Sequence, residues 1–227
     1  MKILNMNETE LNVEGIIEQR AMYNNVSPVY PAGKRIFDLA VSVLAVILLL
    51  PLFLLVGLLI KMDSSGTVFF KQKRNGFKGK PFNMYKFRSM VPDAEQRFEE
   101  IESRNEVSGC MFKIRRDPRV TRVGRILRKT SIDELPQLFN VIRGEMSIVG
   151  PRPPLLREVQ KYDSWHKLRM SVKPGITGLW QVSGRNEIGF EDMCRLDLKY
   201  IRERGFIYDL TIILKTVYVL FDYTRAY

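Results

Sequence analysis

Two adjacent acids, Asp133 and Glu134, stand in a run from Thr130 to Pro154 that ends with Arg152 set between Pro151 and Pro153. Acids at a helix start and an arginine between prolines describe a site more than a core. Proline on both sides removes backbone freedom, so the direction of the Arg152 guanidinium is fixed by the chain itself. Other chemistries are thinly provided for. Cys110 and Cys194 are far apart and form neither a metal nor a redox spacing, and His166 is the sole histidine. Acid-base and nucleophilic chemistry must therefore rest on carboxylates.

The elements that would position these groups follow from pattern. Ser131 to Glu134 matches a capping box, which predicts a helix from Ser131, with Leu135, Leu138 and Ile142 as its buried stripe and Gly144 as its stop. Asp133 would then lie at the positive end of the helix dipole, where its ionised form and any neighbouring phosphate are both favoured. Acids in a first turn also serve simply as dipole complements, and on helix logic alone both readings stand. Upstream, Val68 to Phe70 and Pro81 to Phe87, separated by a turn from Asn75 to Gly79, predict a β-hairpin. Lys86 and Arg88 leave it one residue apart, a spacing that places both on one strand face and within reach of one phosphate.

Other segments carry less chemistry. A weak helix over 5–20 and a linker from Asn24 to Gly33 open the chain. Pro92 to Ser103 reads as a charged surface helix, and Asp117-Pro118 opens another to Lys129, with Val120, Val123, Ile126 and Leu127 on one face and Arg119, Arg122 and Arg125 on the other. Gly124 weakens it slightly. After a strand from Met146 to Val149, turns alternate with a strand between Val172 and Asn186, and two helices, Phe190 to Arg204 and Leu210 to Tyr223, close the chain.

An uncharged run from Leu39 to Ile60, interrupted by Pro51, supplies a membrane segment. As a helix it would extend roughly 33 Å, enough for a hydrocarbon core of about 30 Å. Pro51 predicts a bend, and basic residues flank both ends: Lys34 and Arg35 before, Lys61, Lys71, Lys73 and Arg74 after. A helix-break-helix that enters one leaflet and returns satisfies both flanks; a kinked transmembrane helix with an acidic N-terminal extension outside is the alternative. A cleaved signal peptide is not expected, because the run begins late and lacks a small-residue cleavage site.

The chain has 227 residues and a net charge of +11, concentrated between Lys71 and Arg88 and between Lys113 and Lys129. Such clusters attract nucleic acid, anionic lipid headgroups or phosphorylated substrates, and beside a membrane segment the last two are favoured. No base-reading motif and no Walker or Rossmann glycine pattern is present. A membrane-tethered nucleic-acid binder and a non-catalytic assembly scaffold are the rival classes.

Several ordered motifs resemble the bacterial sugar transferase family, the monotopic phosphoglycosyl transferases. They are Lys34-Arg35 with Asp38, Val68 to Gln72, Lys86 to Met90, Arg128 to Leu138, Gly150 to Pro153 and Lys173 to Gly178. The resemblance runs from about Lys34 to the C-terminus. It implies an α+β fold: a re-entrant membrane helix broken at Pro51 over 34–62, with Ser42 and Pro51 as anchor residues, then a mostly helical cytosolic domain over 63–227 with a small β-hairpin and amphipathic surface helices. Residues 1–33 form an extension. It also implies transfer of a sugar 1-phosphate from a UDP-sugar to polyprenyl (undecaprenyl) phosphate with release of UMP, at the cytoplasmic face of the inner membrane, as the first membrane step of exopolysaccharide or related glycan synthesis.

Residue by residue, the resemblance makes Asp133 the nucleophile and Glu134 the ligand of Mg2+. Lys86, Arg128 and Arg152 match phosphate-binding positions, with Arg88, Gln137 and Arg185 as lesser candidates, Arg185 near the nucleotide. Membrane lipid, later glycosyltransferases and a second copy of the chain are the implied partners; nucleic acid is not. Ser65 and Thr67 stand where relatives carry proline, and Leu50 where some carry serine. The segment from Asp93 to Arg116 is similar to that of exopolysaccharide-type members that use hexoses.

Overall fold

The computed structural model describes residues 27–101, 114, 117–184 and 188–221. The predicted N-terminal helix over 5–20, Cys110, Arg185 and the end of the Pro92–Ser103 helix lie outside them. The fold mixes helices with two separate two-stranded sheets.

Helix α1 (Tyr30–Leu48) takes Pro31 into its first turn, where the missing N–H costs nothing, so the helix begins inside the expected linker. Helix α2 (Leu50–Asp63) follows after Leu49 at a bend of 61°. Pro51 lies in the first turn of α2 and cannot donate to the turn before it, which is the physical cause of the break. Neither helix alone is long and apolar enough to cross a membrane; the bent pair together is. On α2, Phe53, Val56 and Ile60 form one stripe packed on Phe87 and Leu127, whereas Leu54, Leu55, Leu58 and Met62 are exposed. Ser42, on α1, is fully buried.

Strands β1 (Phe69–Asn75) and β2 (Pro81–Phe87) form the expected hairpin, pairing Phe70 with Lys86 and Arg74 with Phe82. Its turn uses positive φ at Lys78 and Gly79. Over the described residues 92–101, turns precede a short helix α3 (Phe98–Ile101). Helix α4 (Arg122–Lys129) starts later than expected, because Asp117 binds Arg119 instead of opening a helix and Thr121 supplies the cap to Gly124 N–H at 3.0 Å. Arg119 is consequently buried, donating to the carbonyl of Ala94, and Ile126 is exposed.

A 3₁₀ turn over Ile132–Glu134 precedes α5 (Gln137–Arg143). The helix expected from Ser131 thus starts at Gln137, and the capping box does not form: Ser131 takes a left-handed conformation with φ 57° and its side chain caps nothing. Gly144 ends α5 as anticipated, with φ 80°. A second, parallel sheet joins β3 (Ser147–Val149) to β4 (Gly175–Thr177) across the short helices α6 (Leu156–Val159) and α7 (Ser164–Lys167). At its end the backbones of Gly150 and Gly175 touch so closely that a Cβ on either would overlap the other segment. Helices α8 (Leu179–Val182), α9 (Phe190–Glu203) and α10 (Phe206–Phe221) complete the fold, with Tyr200, Ile201 and Ile212 packed on Val149 and Leu179.

Candidate active site

Three elements meet at the acid pair: the end of β2, the C-terminal turn of α4 and the 3₁₀ turn. A tight turn of this kind projects consecutive side chains in different directions, so Asp133 and Glu134 enter different surroundings. Asp133 is 7% exposed. Burial, the largest influence, pushes its carboxyl up to about 6; Lys86 and Arg128 oppose that and Glu134 reinforces it.

Glu134 accepts a hydrogen bond from Lys86 Nζ to Oε1 at 2.7 Å, and about a third of its side chain is exposed. Burial would raise its pKa, but Lys86 first, then Arg74 and Arg152, outweigh that and hold it below the ordinary glutamate range. The two acids are thus pushed apart: Glu134 is a firm anion, while Asp133 is a more basic carboxylate. Separation of this kind within one pair marks sites that divide roles between acids.

The cations come from several places. Lys86 stands on the hairpin face opposite Phe70, which also carries Gln72 and Arg74. Arg128 is steadied by its Nε–H, which donates to Ser89 Oγ at 2.9 Å. Arg152 leaves β3 on the Pro151–Pro154 segment and donates from Nη1 to Glu158 Oε2 at 3.1 Å, with about a quarter of its side chain exposed. Lys86, Arg128, Arg152 and the acid pair are therefore brought together as expected, and Gln137 is buried at the first residue of α5.

Arg88 does not join them. It lies past the end of β2, where strand alternation no longer holds, and its guanidinium donates to the carbonyls of Ser64, at 2.8 Å, and Ser65, closing the chain that leaves α2. In its place stands Arg74, which in the sequence is only one member of a basic cluster. It is buried, donating to Gln72 Oε1 and, at 3.0 Å, to the carbonyl of Pro153. Hairpin register could have found it: four residues along the strand from Phe70, it shares the face of Lys86.

Among the described residues no group of three side chains forms a metal cluster. Mg2+ does not require one, because it is commonly held by one or two carboxylates completed by substrate phosphates and water. Glu134 fits that role: it is anionic, accessible, and bound to Lys86 through one oxygen.

The chain matches the family model described as bacterial sugar transferase over residues 29–223. It is 42% identical over 196 residues to the exopolysaccharide production protein ExoY of Sinorhizobium fredii, covering 85% of this chain and 87% of that one. Similarity to the galactosyl transferase CpsE of Streptococcus agalactiae is 45% over 197 residues, 86% of this chain but 43% of that protein. The undecaprenyl-phosphate glucose phosphotransferase of Komagataeibacter xylinus is 47% identical over 199 residues, 81% of this chain and 35% of its own length. The chain thus spans nearly all of ExoY and less than half of the two larger relatives. A family match over most of the chain, ordered as the motifs are and centred on an acid pair among cations, establishes that it belongs to the bacterial sugar transferase family of enzymes.

Proposed function

We propose that this chain transfers a sugar 1-phosphate from a UDP-hexose, such as UDP-glucose or UDP-galactose, to polyprenyl phosphate. The observation that carries the reading is the buried Asp133 beside the Lys86-bound Glu134, with Arg128, Arg74 and Arg152 arranged around the pair. An Asp133 oxygen attacks the sugar-bearing phosphorus, an O–P bond forms, and the bridging P–O bond breaks with its electrons leaving on UMP. An oxygen of polyprenyl phosphate then attacks the same phosphorus, breaks the aspartyl O–P bond and restores the carboxylate. Phosphorus keeps its oxidation state and each bond made matches one broken.

The site supplies what such displacements need. A carboxylate with pKa near 6 is ionised at neutral pH yet more basic than an ordinary aspartate, and burial strips water from it. Lys86 and Arg128 offset charge as the pentacovalent phosphorus develops, and the fork of Arg152 suits two phosphate oxygens at once. Glu134 with donor phosphate oxygens would hold Mg2+, which masks the diphosphate charge against an incoming anion.

Names of the relatives support the acceptor and the pathway: undecaprenyl phosphate and glucose appear in one and exopolysaccharide production in another. The exposed apolar sides of α1 and α2 support contact with a membrane, and the basic flanks of the run favour the cytoplasmic face of the inner membrane. The first membrane step of exopolysaccharide assembly, ahead of further glycosyltransferases, is the corresponding place in a pathway.

Incubation with UDP-glucose or UDP-galactose and Mg2+, without lipid, is expected to release UMP and add one hexose phosphate mass to the peptide holding Asp133. Full turnover by Asp133→Asn would overturn the nucleophile. The rate of adduct formation should fall on the acid side as Asp133 takes up its proton near pH 6.

A further inference from the structure

Behind Arg152 lies a set of buried groups that the transfer steps above do not use. Glu158 has a side chain only 1% exposed, and isolated burial of that kind is costly for an acid. Burial raises its pKa, yet Arg152, then Arg74, then the Leu155 N–H hold it below the ordinary range, so it stays an anion. One of its oxygens, Oε2, serves two donors: Leu155 N–H at 2.8 Å and Arg152 Nη1 at 3.1 Å.

Arg74 completes the arrangement from the hairpin side. Its guanidinium is fixed by Gln72 Oε1 and by the Pro153 carbonyl, and the neighbouring Asn75 N–H donates to Pro154 O at 2.9 Å. The hairpin is thus stitched to the Pro151–Pro154 segment on both sides of the charge cluster. Arg74 and Arg152 repel one another, and each lowers its cost by facing Glu158 and Glu134. Two cations, Arg152 and Arg74, therefore lie between two anions, Glu158 and Glu134.

We infer that Glu158 is a positioning residue for donor phosphate: it accepts from both terminal nitrogens of Arg152, Nη1 at 3.1 Å and Nη2 at 3.5 Å, and so sets the guanidinium before substrate arrives. The inference rests on the proposed transfer reaction. Two features separate it from plain structural support. Of the two arginines Arg152 is the partly exposed one, able to give contacts to a ligand, while Glu158 is sealed from solvent and reaches a ligand only through its partners. The Arg152 backbone is held independently, by the prolines on either side of it and by Gly175 N–H, which donates to Pro151 O at 2.9 Å. The main chain is therefore anchored without Glu158, which leaves the direction of the guanidinium as the property Glu158 controls.

Glu158→Gln keeps an oxygen for the Leu155 N–H and removes the charge that orders Arg152. The expected result is a donor KM raised about tenfold with kcat within roughly threefold, because the arginine loses its set geometry and not its chemistry, alongside a lowered melting temperature as Arg74 and Arg152 lose a buried counter-charge. The decisive measurement is the double-mutant cycle. In an Arg152→Ala background Glu158→Gln should raise donor KM no further, since the residue it acts through is gone. An equal further rise in that background would assign Glu158 to the fold alone, and an unchanged KM in the single variant would remove its positioning role. Should Glu158→Gln unfold the protein, Glu158→Asp, which keeps the charge and shortens its reach, takes its place in the same cycle, and the same two results would overturn the role. Absence of UMP release by the unaltered enzyme would instead defeat the transfer reaction itself, so the two failures are distinguishable.

Discussion

Burial makes Asp133 expensive to keep ionised, and that cost can be read in stability as well as in rate. With its pKa raised from 3.8 to about 6, the folded protein binds a proton more tightly there than the unfolded chain does. Stability contributed by this group is therefore greatest below the unfolded value and is lost as pH rises through the 3.8 to 6 window. Above it the charged carboxylate costs on the order of 2–3 kcal/mol. Asp133→Asn, a neutral isostere, should abolish transfer yet melt higher than the native chain at about pH 7.5, with the gain vanishing near pH 4. Thermal melts across that range check it; an equal or lower melt at the upper end would mean that burial does not strain the carboxylate. That the acid pair and Arg152 belong to one site was legible from residue type and proline placement, whereas their separate roles were only what the resemblance implies. Arg88 lies away from the acid pair and Arg74 near it for a reason no charge count contains: which face a cation takes depends on hairpin register and on where the strand ends, both settled by pairing.

At the scale of elements, local pattern located most helices and strands but misplaced their starts. The run from Ser131 has the letters of a capping box, yet Pro136 has no N–H to donate to the Ile132 carbonyl one helical turn back, and the chain makes a 3₁₀ turn before α5. That turn, not a helix dipole, is what sets Asp133 into its buried pocket of cations. Gly124 is a weakness in α4 when read for propensity alone. Its position explains it: α4 crosses the strand exit so closely that a Cβ there would overlap the Ser89 carbonyl, which already accepts from Thr121 N–H at 3.1 Å. The same Ser89 holds Arg128 through its hydroxyl, so this crossing carries a cation of the site as well as a packing contact. Gly124→Ala should cost about 1–3 kcal/mol, the usual penalty for overpacking, despite alanine's better helix propensity. Turnover should fall too, because α4 must shift and Arg128 shifts with it. Urea melts with parallel UMP-release assays check the pair, and a stabilised variant would show that the crossing has slack.

For the molecule as a whole, the bent pair raises the question that hydropathy leaves open: whether the apolar run crosses a membrane or returns. The contacts at its two ends bear on it directly. At the start of α1, Lys34 donates to Asp209 at 2.6 Å, Arg35 donates to the carbonyls of Val141 and Ile142 at the end of α5, and Asp38 accepts from Ile148 N–H. At the end of α2, Asp63 accepts from Val123 N–H at 3.0 Å and Arg88 grips Ser64 and Ser65. Both ends are thus bonded to one body. A crossing would have to break one set entirely, stranding buried polar groups each worth on the order of 1–3 kcal/mol when left unpaired. The exposed Leu44, Ile47, Leu48, Leu54, Leu55 and Leu58 lie between those fixed ends, about the bend, as an inserted wedge requires. In the proposed membrane setting this predicts a single-sided topology. In a Cys110→Ser background, Val29→Cys and Met62→Cys place thiols at exposed positions flanking the pair. An impermeant maleimide should label both in inverted inner-membrane vesicles and neither in sealed right-side-out cells. Labelling from opposite sides would establish a crossing and would require the ties to Asp209 and α5, or those to α4, to be absent in the membrane.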